Sequence, residues 1–411
     1  MKHALPSVRA PHAPTRRIAA ALALLAATAT APAASDVWVV DASSGPGADF
    51  TDIQAAVDFA ADGDTLLVRS GSYGPFDVLG KGLTVAADAG ATVDGPLARI
   101  EDLAAHQSVS LRGLDLTQVH LSSLEGPAWI ENCTLGPAEP ALRIEDCSQA
   151  AVIRCEITGS QGTLVTPDDT GYCSYFQPGG PGAVFEDSMT VLDHCTVKGG
   201  KGWLAPACWT AGAPGEGLLL KGGVLLCTGS TLRGENGAIG SCEKASGAPG
   251  LIMQGNDPFA IFHDSVVEAG LTVPCSGTPL PDPPVVVLAG QVQILTGAAH
   301  DFEVASPVRE GEAIALQLAG ESGQTAFVAV SLAQDHSVLV EWQGAALLDP
   351  SFSIADVLTV PASGPFSSSL PAVQLAPGME GLPLYLQAAF VGPGGITLSP
   401  GSSLLLLDAA H

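Results

Sequence analysis

Eight residues combine type and spacing in ways that could do chemistry: Arg154, Glu156, Asp193, His194, Lys198, Trp203, Trp209 and Arg233. Asp193 adjoins His194, and an imidazole titrating near neutrality beside carboxylates such as Glu156 is suited to general acid–base work. Arg154, Lys198 and Arg233 offer charge to an acidic or hydroxyl-rich ligand. Trp203 and Trp209 offer flat apolar faces of the kind that stack on sugar rings. Each also has an ordinary reading. An exposed histidine more often decorates a surface than acts, and exposed charges mostly pair with their neighbours or with water.

What could bring these residues together is a repeat. Six segments align on one column, Leu114, Cys133, Cys155, Cys195, Ser230 and Ser265. Three residues earlier stand Leu111, Ile130, Val152, Leu192, Cys227 and Phe262; two residues later stand Leu116, Leu135, Ile157, Val197, Leu232 and Val267. All of these flanking positions are apolar. A second family of strand-like runs precedes them, among them ARIEDL at Ala98, LRIEDC at Leu142 and LLLKGG at Leu218. Units beginning at Leu97, Val119 and Ala141 are 22 residues long. That is too short for strands joined by crossover helices, and it suits a parallel β-helix whose coils stack about 4.8 Å apart. With the column and its +2 neighbour inward, positions −1, +1 and +3 face outward. This places Asn132, Arg154, His194 and Asp264 on one outer ladder, beside Glu156, Thr196 and Thr231, then Thr158, Lys198 and Arg233.

Ahead of the coils lies FTDIQAAVDFAADGDTLLVRSGSY, followed by KGLTV. Thr51 and Gln54 have the spacing of a capping box, Ile53, Val57 and Ala60 form an apolar stripe, and Gly63-Asp64 stops the helix before a strand at Thr65–Val68. A short helix here would plug the open end of the first coil. This opening, followed by such coils, resembles the start of right-handed β-helices of the pectin lyase-like superfamily, over roughly Asp36 to Gly270. The resemblance implies an extracellular protein, a glycan along an outer face, and flanking loops. It also implies what an enzyme of this fold would need: an Arg or Lys base with calcium-seating carboxylates for a lyase, paired acids for a hydrolase, or two Asp and an Arg in fixed strand motifs for an esterase. None of those motifs is present. Asp168-Asp169, between Pro167 and Thr170-Gly171, reads as a solvated turn.

Three insertions interrupt successive coils after the same strand, beginning after Gln161, Gly202 and Gly237. They carry Tyr172, Tyr175, Phe176, Trp203 and Trp209, and would form a wall beside the ladder. Arg154, Lys198, Lys201, Lys221, Arg233 and Lys244 gather in the same zone. There are nine cysteines. Cys133, Cys155 and Cys195 are expected as buried thiols, since stacked rungs hold Cβ atoms further apart than the ~3.8 Å a disulfide prefers. Two of Cys173, Cys208 and Cys242, one in each insertion, are expected to pair.

The 411-residue chain has 48 Gly, 31 Pro and only 14% charged residues, an all-β composition. Residues 1–33 read as a signal peptide: Arg16 and Arg17, the apolar run Ile18 to Ala31, then small residues. Removing Lys2, Arg9, Arg16 and Arg17 leaves 12 basic against 42 acidic residues, a charge of −30. Such a chain is not expected to hold nucleic acid, and no later segment could span a bilayer. The expected organisation is a signal peptide (1–33), a right-handed parallel β-helix with a short N-terminal capping helix (34–284), and a small C-terminal β-sandwich-like domain (285–411). The expected role is an exported, secreted or cell-surface protein that binds extracellular polysaccharide or serves as a scaffold, without a catalytic motif and without a cofactor. The alternative is a divergent polysaccharide lyase or glycoside hydrolase on an acidic glycan, with calcium if it is a lyase.

Overall fold

The computed structural model describes residues 35–165, 175–176, 178–202, 213–237, 246–272, 279–362, 364–371, 375 and 380–409. The expected signal peptide, Cys173, Cys208, Cys242, Lys244 and both insertion tryptophans, Trp203 and Trp209, lie outside these residues.

The first half is a right-handed parallel β-helix. Its coils contribute to three all-parallel sheets. A long sheet of ten strands runs from Val37–Val40 to Gln291–Leu295; a second, of eight, runs from Asp77–Leu79 to Val285–Val287; a third, also of eight, runs from Gly71–Tyr73 to Val266–Glu268. The apolar columns of the repeat fill one continuous core, including Leu111, Ile130, Val152, Leu192 and Cys227 on the long sheet. Cys133, Cys155 and Cys195 are buried free thiols, as are Cys147 and Cys227. Burial pushes the Cys227 thiol up to about 12, so it serves as a small apolar side chain.

Each full coil turns through left-handed corners. One corner holds Gly113, Asn132, Arg154, His194, Gly229 and Asp264, all with φ between 47° and 73°. Another holds Gly80, Asp102, Ser123, Asp146 and Asp187. Gly, Asn, Asp and His are the residue types most often found in this region, whereas an Arg there costs roughly 1 kcal/mol.

The helix Ile53–Phe59 buries Ile53, Ala56 and Val57 in the end of the core. Its N-cap is Asp52, whose carboxylate accepts from Ala55 N at 3.1 Å, rather than Thr51. Gln54 instead accepts from Asp77 N and donates to Asp58. A strand precedes the helix: Val37–Val40 pairs in parallel with Thr65–Val68, and buried Asp64 ties the two by accepting from Asp36 N and Trp38 Nε1. A 284/285 division would cut the last coil, because Val285–Val287 and Gln291–Leu295 both continue the β-helix.

The C-terminal region is a sandwich of a three-stranded and a five-stranded sheet around Phe302, Leu316, Leu318, Val328, Leu386 and Phe390. It lies along the outward face of the long sheet. At one end Leu405 and Leu407 pack on Val39, Leu67 and Ala86. At the other, Leu347, Leu348 and Tyr385 pack on Trp129, Ile153, Val191, Leu226 and Ile261.

Candidate functional site

The described candidate residues separate into two groups. Arg154, Asp193 and His194 sit at the seam between the β-helix and the C-terminal domain. Glu156, Lys198 and Arg233 sit one corner further on, on the outward face of the third sheet.

The seam group is organised by a residue that the repeat analysis did not select. Glu131 is fully buried in the outward column of the long sheet that also holds Arg112, Ile153, Asp193, Thr228 and His263. Arg112 Nη1 reaches Glu131 Oε2 at 2.7 Å, and Arg154 Nη2 reaches Oε1 at 3.0 Å. Trp129 Nε1, Ser402 Oγ, Ser403 N and Ser403 Oγ also donate to this carboxylate. Burial alone would raise its pKa, but the two guanidiniums and Ser403 overcome that and hold it at about 2. The cluster bridges the domains, since both serines belong to the last strand of the sandwich. Arg154 adds donations to Phe302 O and Gly401 O. Its side chain is therefore committed to the second domain and does not face a ligand, which also accounts for an arginine held in a left-handed corner.

Asp193 is 5% exposed, and its Oδ1 lies 2.7 Å from His194 Nδ1. Burial raises the Asp193 carboxyl, against the opposing effect of His194. Burial would lower the His194 pKa, but its bond to Asp193 outweighs that and raises it. The pair stabilises a charged imidazole at the seam, with Asp301 and Arg154 also acting on it. Glu156 does not join it: it lies round the corner on the third sheet, so the expected three-residue acid–base group is not assembled.

On the third sheet, the register Glu156↔Thr196↔Thr231 and Thr158↔Lys198↔Arg233 holds as the repeat implied. Thr134, Glu156, Thr196 and Arg233 are exposed. The cations are matched by acids. Lys198 Nζ lies 3.4 Å from Glu235, and Arg233 Nε lies 3.8 Å from Glu268. Lys221 faces out from the second sheet, where it meets Glu186 at 3.5 Å. The basic zone read from the sequence is thus divided among three faces, and the ladder it leaves is polar and close to neutral.

The feet of the insertions do stack beside this ladder, between the third and second sheets. Gly180 N donates to Ser160 O, Gly200 N to Gly180 O, and Gly215 N to Gly200 O, at 2.8–2.9 Å. The approach is close enough to require glycine: a Cβ on Gly200 would lie 1.7 Å from Ser160 O. A groove of about 730 Å³ lies elsewhere, beside the acidic corner of Asp102, Asp146 and Asp187. Among the described residues, no group of three or more His, Cys, Asp or Glu could hold a metal ion. No described helix is long and apolar enough to cross a membrane.

No protein-family model matches the sequence, and no curated protein matches it. Among solved structures, pectin methylesterase PemA from Erwinia chrysanthemi is similar at 11% identity, over 63% of this chain and 92% of that one, with a TM-score of 0.35. A pectin methylesterase in complex with hexasaccharide VII gives 11%, 63%, 92% and 0.36. The PL6 family alginate lyase AlyGC gives 11% identity over 64% of this chain and 39% of that chain, with a TM-score of 0.28. The fold assignment rests on the strand registers above and not on these likenesses.

Proposed function

We propose that this protein is an exported β-helix scaffold that binds a hydroxyl-rich extracellular polysaccharide along the outward face of its third sheet. The observation that carries the reading is the register of Thr134, Glu156, Thr196 and Thr231 beside Thr158, Lys198 and Arg233. It sets hydroxyls and matched charges on successive rungs about 4.8 Å apart, a flat array of donors and acceptors for a polymer lying along the stack. The pairing of Lys198 with Glu235 and of Arg233 with Glu268 favours hydrogen bonding to sugar hydroxyls over attraction to a polyanion. The stacked glycine feet set the edge of that face. The lyase or hydrolase reading loses its acid–base group, since Asp193 is buried at the domain seam and Glu156 stands apart from it.

The test is calorimetric titration with neutral and acidic polysaccharides at low and high salt. Binding of a neutral glycan that persists at high salt is expected. Lys198→Ala with Arg233→Ala should weaken it by roughly tenfold, the scale of one charge-assisted hydrogen bond. Equal binding by the double variant, or binding only to polyanions and only at low salt, would contradict the reading. Release of reducing or unsaturated sugars from any of these polymers would establish the enzymatic alternative.

A further inference from the structure

The two ends of the β-helix are finished differently. At the N-terminal end the helix Ile53–Phe59 covers the core, Asp58 and Asp62 face water, and residues 49–50 pair with the outer edge of Val37–Val40. At the C-terminal end the last coil ends in the open. Ile294 lies on the rung after Phe262 and Cys227, which are 6% and 0% exposed, yet Ile294 is 75% exposed. Val287 follows Met253 on its rung and is 47% exposed against 0%. Val292 follows Ala260 and is 39% exposed against 0%. These are core positions laid bare because no described coil follows. Among the described residues, seven of the fifteen exposed large hydrophobic residues fall between Val266 and Ile294. The strands Val285–Val287 and Gln291–Leu295 each have a sheet partner on one side only among the described residues.

We propose that this end is a self-association surface, and that its occupant is the same end of a second copy, related by a twofold axis across the β-helix axis. Charge selects that partner. The whole chain carries −26, so a copy is repelled almost everywhere, but residues 283–300 contain no Asp, Glu, Lys or Arg. A twofold axis would set this bare coil end against the same end of its copy, the arrangement of an isologous interface. The opposite end of another copy is a poor match: its core is closed by the helix and its surface is acidic. End-to-end docking would bury Val287, Leu288, Val292 and Ile294 and shield both free strand edges, the usual remedy for an exposed edge. This inference stands independently of the glycan reading.

The test is the molar mass of the full chain in solution by light scattering, across a concentration series, for the wild type, Ile294→Asp and Leu288→Lys. Leu288 and Ile294 are 69% and 75% exposed, so the folded protomer tolerates both substitutions, and a circular dichroism spectrum checks this. The expected result is a dimer that closes at two copies for wild type, and a monomer for each variant at the same concentration. A monomeric wild type at about 0.1 mM, the scale at which weak interfaces still pair, would overturn the proposal. So would a dimer that survives both substitutions, or an open-ended series of oligomers, which marks head-to-tail contact.

Discussion

On the long sheet, outward residues such as Trp129, Ile153 and Ile261 are 0–1% exposed; one corner away, on the third sheet, outward Thr134, Glu156 and Thr196 face water. The same coils make both faces. The difference lies in the residues between inward positions. Strands AWIE, AAVI and FAIFH on the long sheet carry apolar residues on both sides, apart from the terminal Glu131 and His263, whereas TLGPA, EITG and TVK on the third alternate. A strand apolar on both sides must be covered on both sides, and the C-terminal sandwich is that cover. A charged side chain therefore has different partners on each face: the Glu131 cluster joins the domains, and Lys198 and Arg233 pair with Glu235 and Glu268 on a face the second domain leaves uncovered.

The strongest way to break this contrast is to remove the centre of the seam. Glu131→Ala leaves Arg112 and Arg154 buried without their carboxylate and should cost about 3–5 kcal/mol of unfolding free energy, read by denaturant melts. Acid should act on the same group. Its pKa is depressed from 4.5 to about 2, so its contribution is complete above pH 4.5 and is lost as the pH falls towards 2, by about 3 kcal/mol in all. His336, buried against Trp129, has its pKa lowered from 6.5 to about 3 by burial, so its contribution is complete above pH 6.5 and lost as the pH falls towards 3. Unfolding free energy measured against pH should fall through both windows, and Glu131→Gln should flatten the lower one. Unchanged acid sensitivity in that variant would remove Glu131 from the account.

A smaller effect is expected where the cover touches the sheet. A Cβ on Gly401 would lie 2.2 Å from the Trp129 ring, so Gly401→Ala should cost about 1–3 kcal/mol by overpacking. The smallest effect belongs to the other face. Arg233→Ala breaks an ion pair exposed on both sides and should change stability by no more than about 1 kcal/mol, whereas Lys198→Ala also leaves the buried Glu235 carboxylate without its cation and should cost more.

Much of the fold was legible in the apolar columns. The inward ladder of Cys133, Cys155 and Cys195, the helix and the rungs of the third sheet follow from periodicity of two and from column alignment. The corner was not legible as such, because a period-two reading runs straight through a left-handed residue and turns Arg154 and His194 into part of a flat outer ladder. The signal was present in Gly113, Asn132, Gly229 and Asp264, residue types that share tolerance of positive φ. Glu131 was missed because its column looked incidental until a second domain covered it, and pairing between distant segments is not written in local pattern. Asp52 replaced Thr51 as the cap by a shift of one residue, which spacing alone does not resolve.

The central claim is that neighbouring charges of the same repeat do unlike work on either side of one corner. The direct measurement is the unfolding free energy of Arg154→Ala beside that of Arg233→Ala, under identical conditions. Arg154→Ala should lose about 3–5 kcal/mol, since it removes one of the two guanidiniums on buried Glu131 together with the donations to Phe302 O and Gly401 O, while Arg233→Ala should lose no more than about 1 kcal/mol. If Arg154→Ala is no less stable than Arg233→Ala, the seam does not hold the domains together in the way described, and Arg154 returns to the outer ladder as a ligand contact.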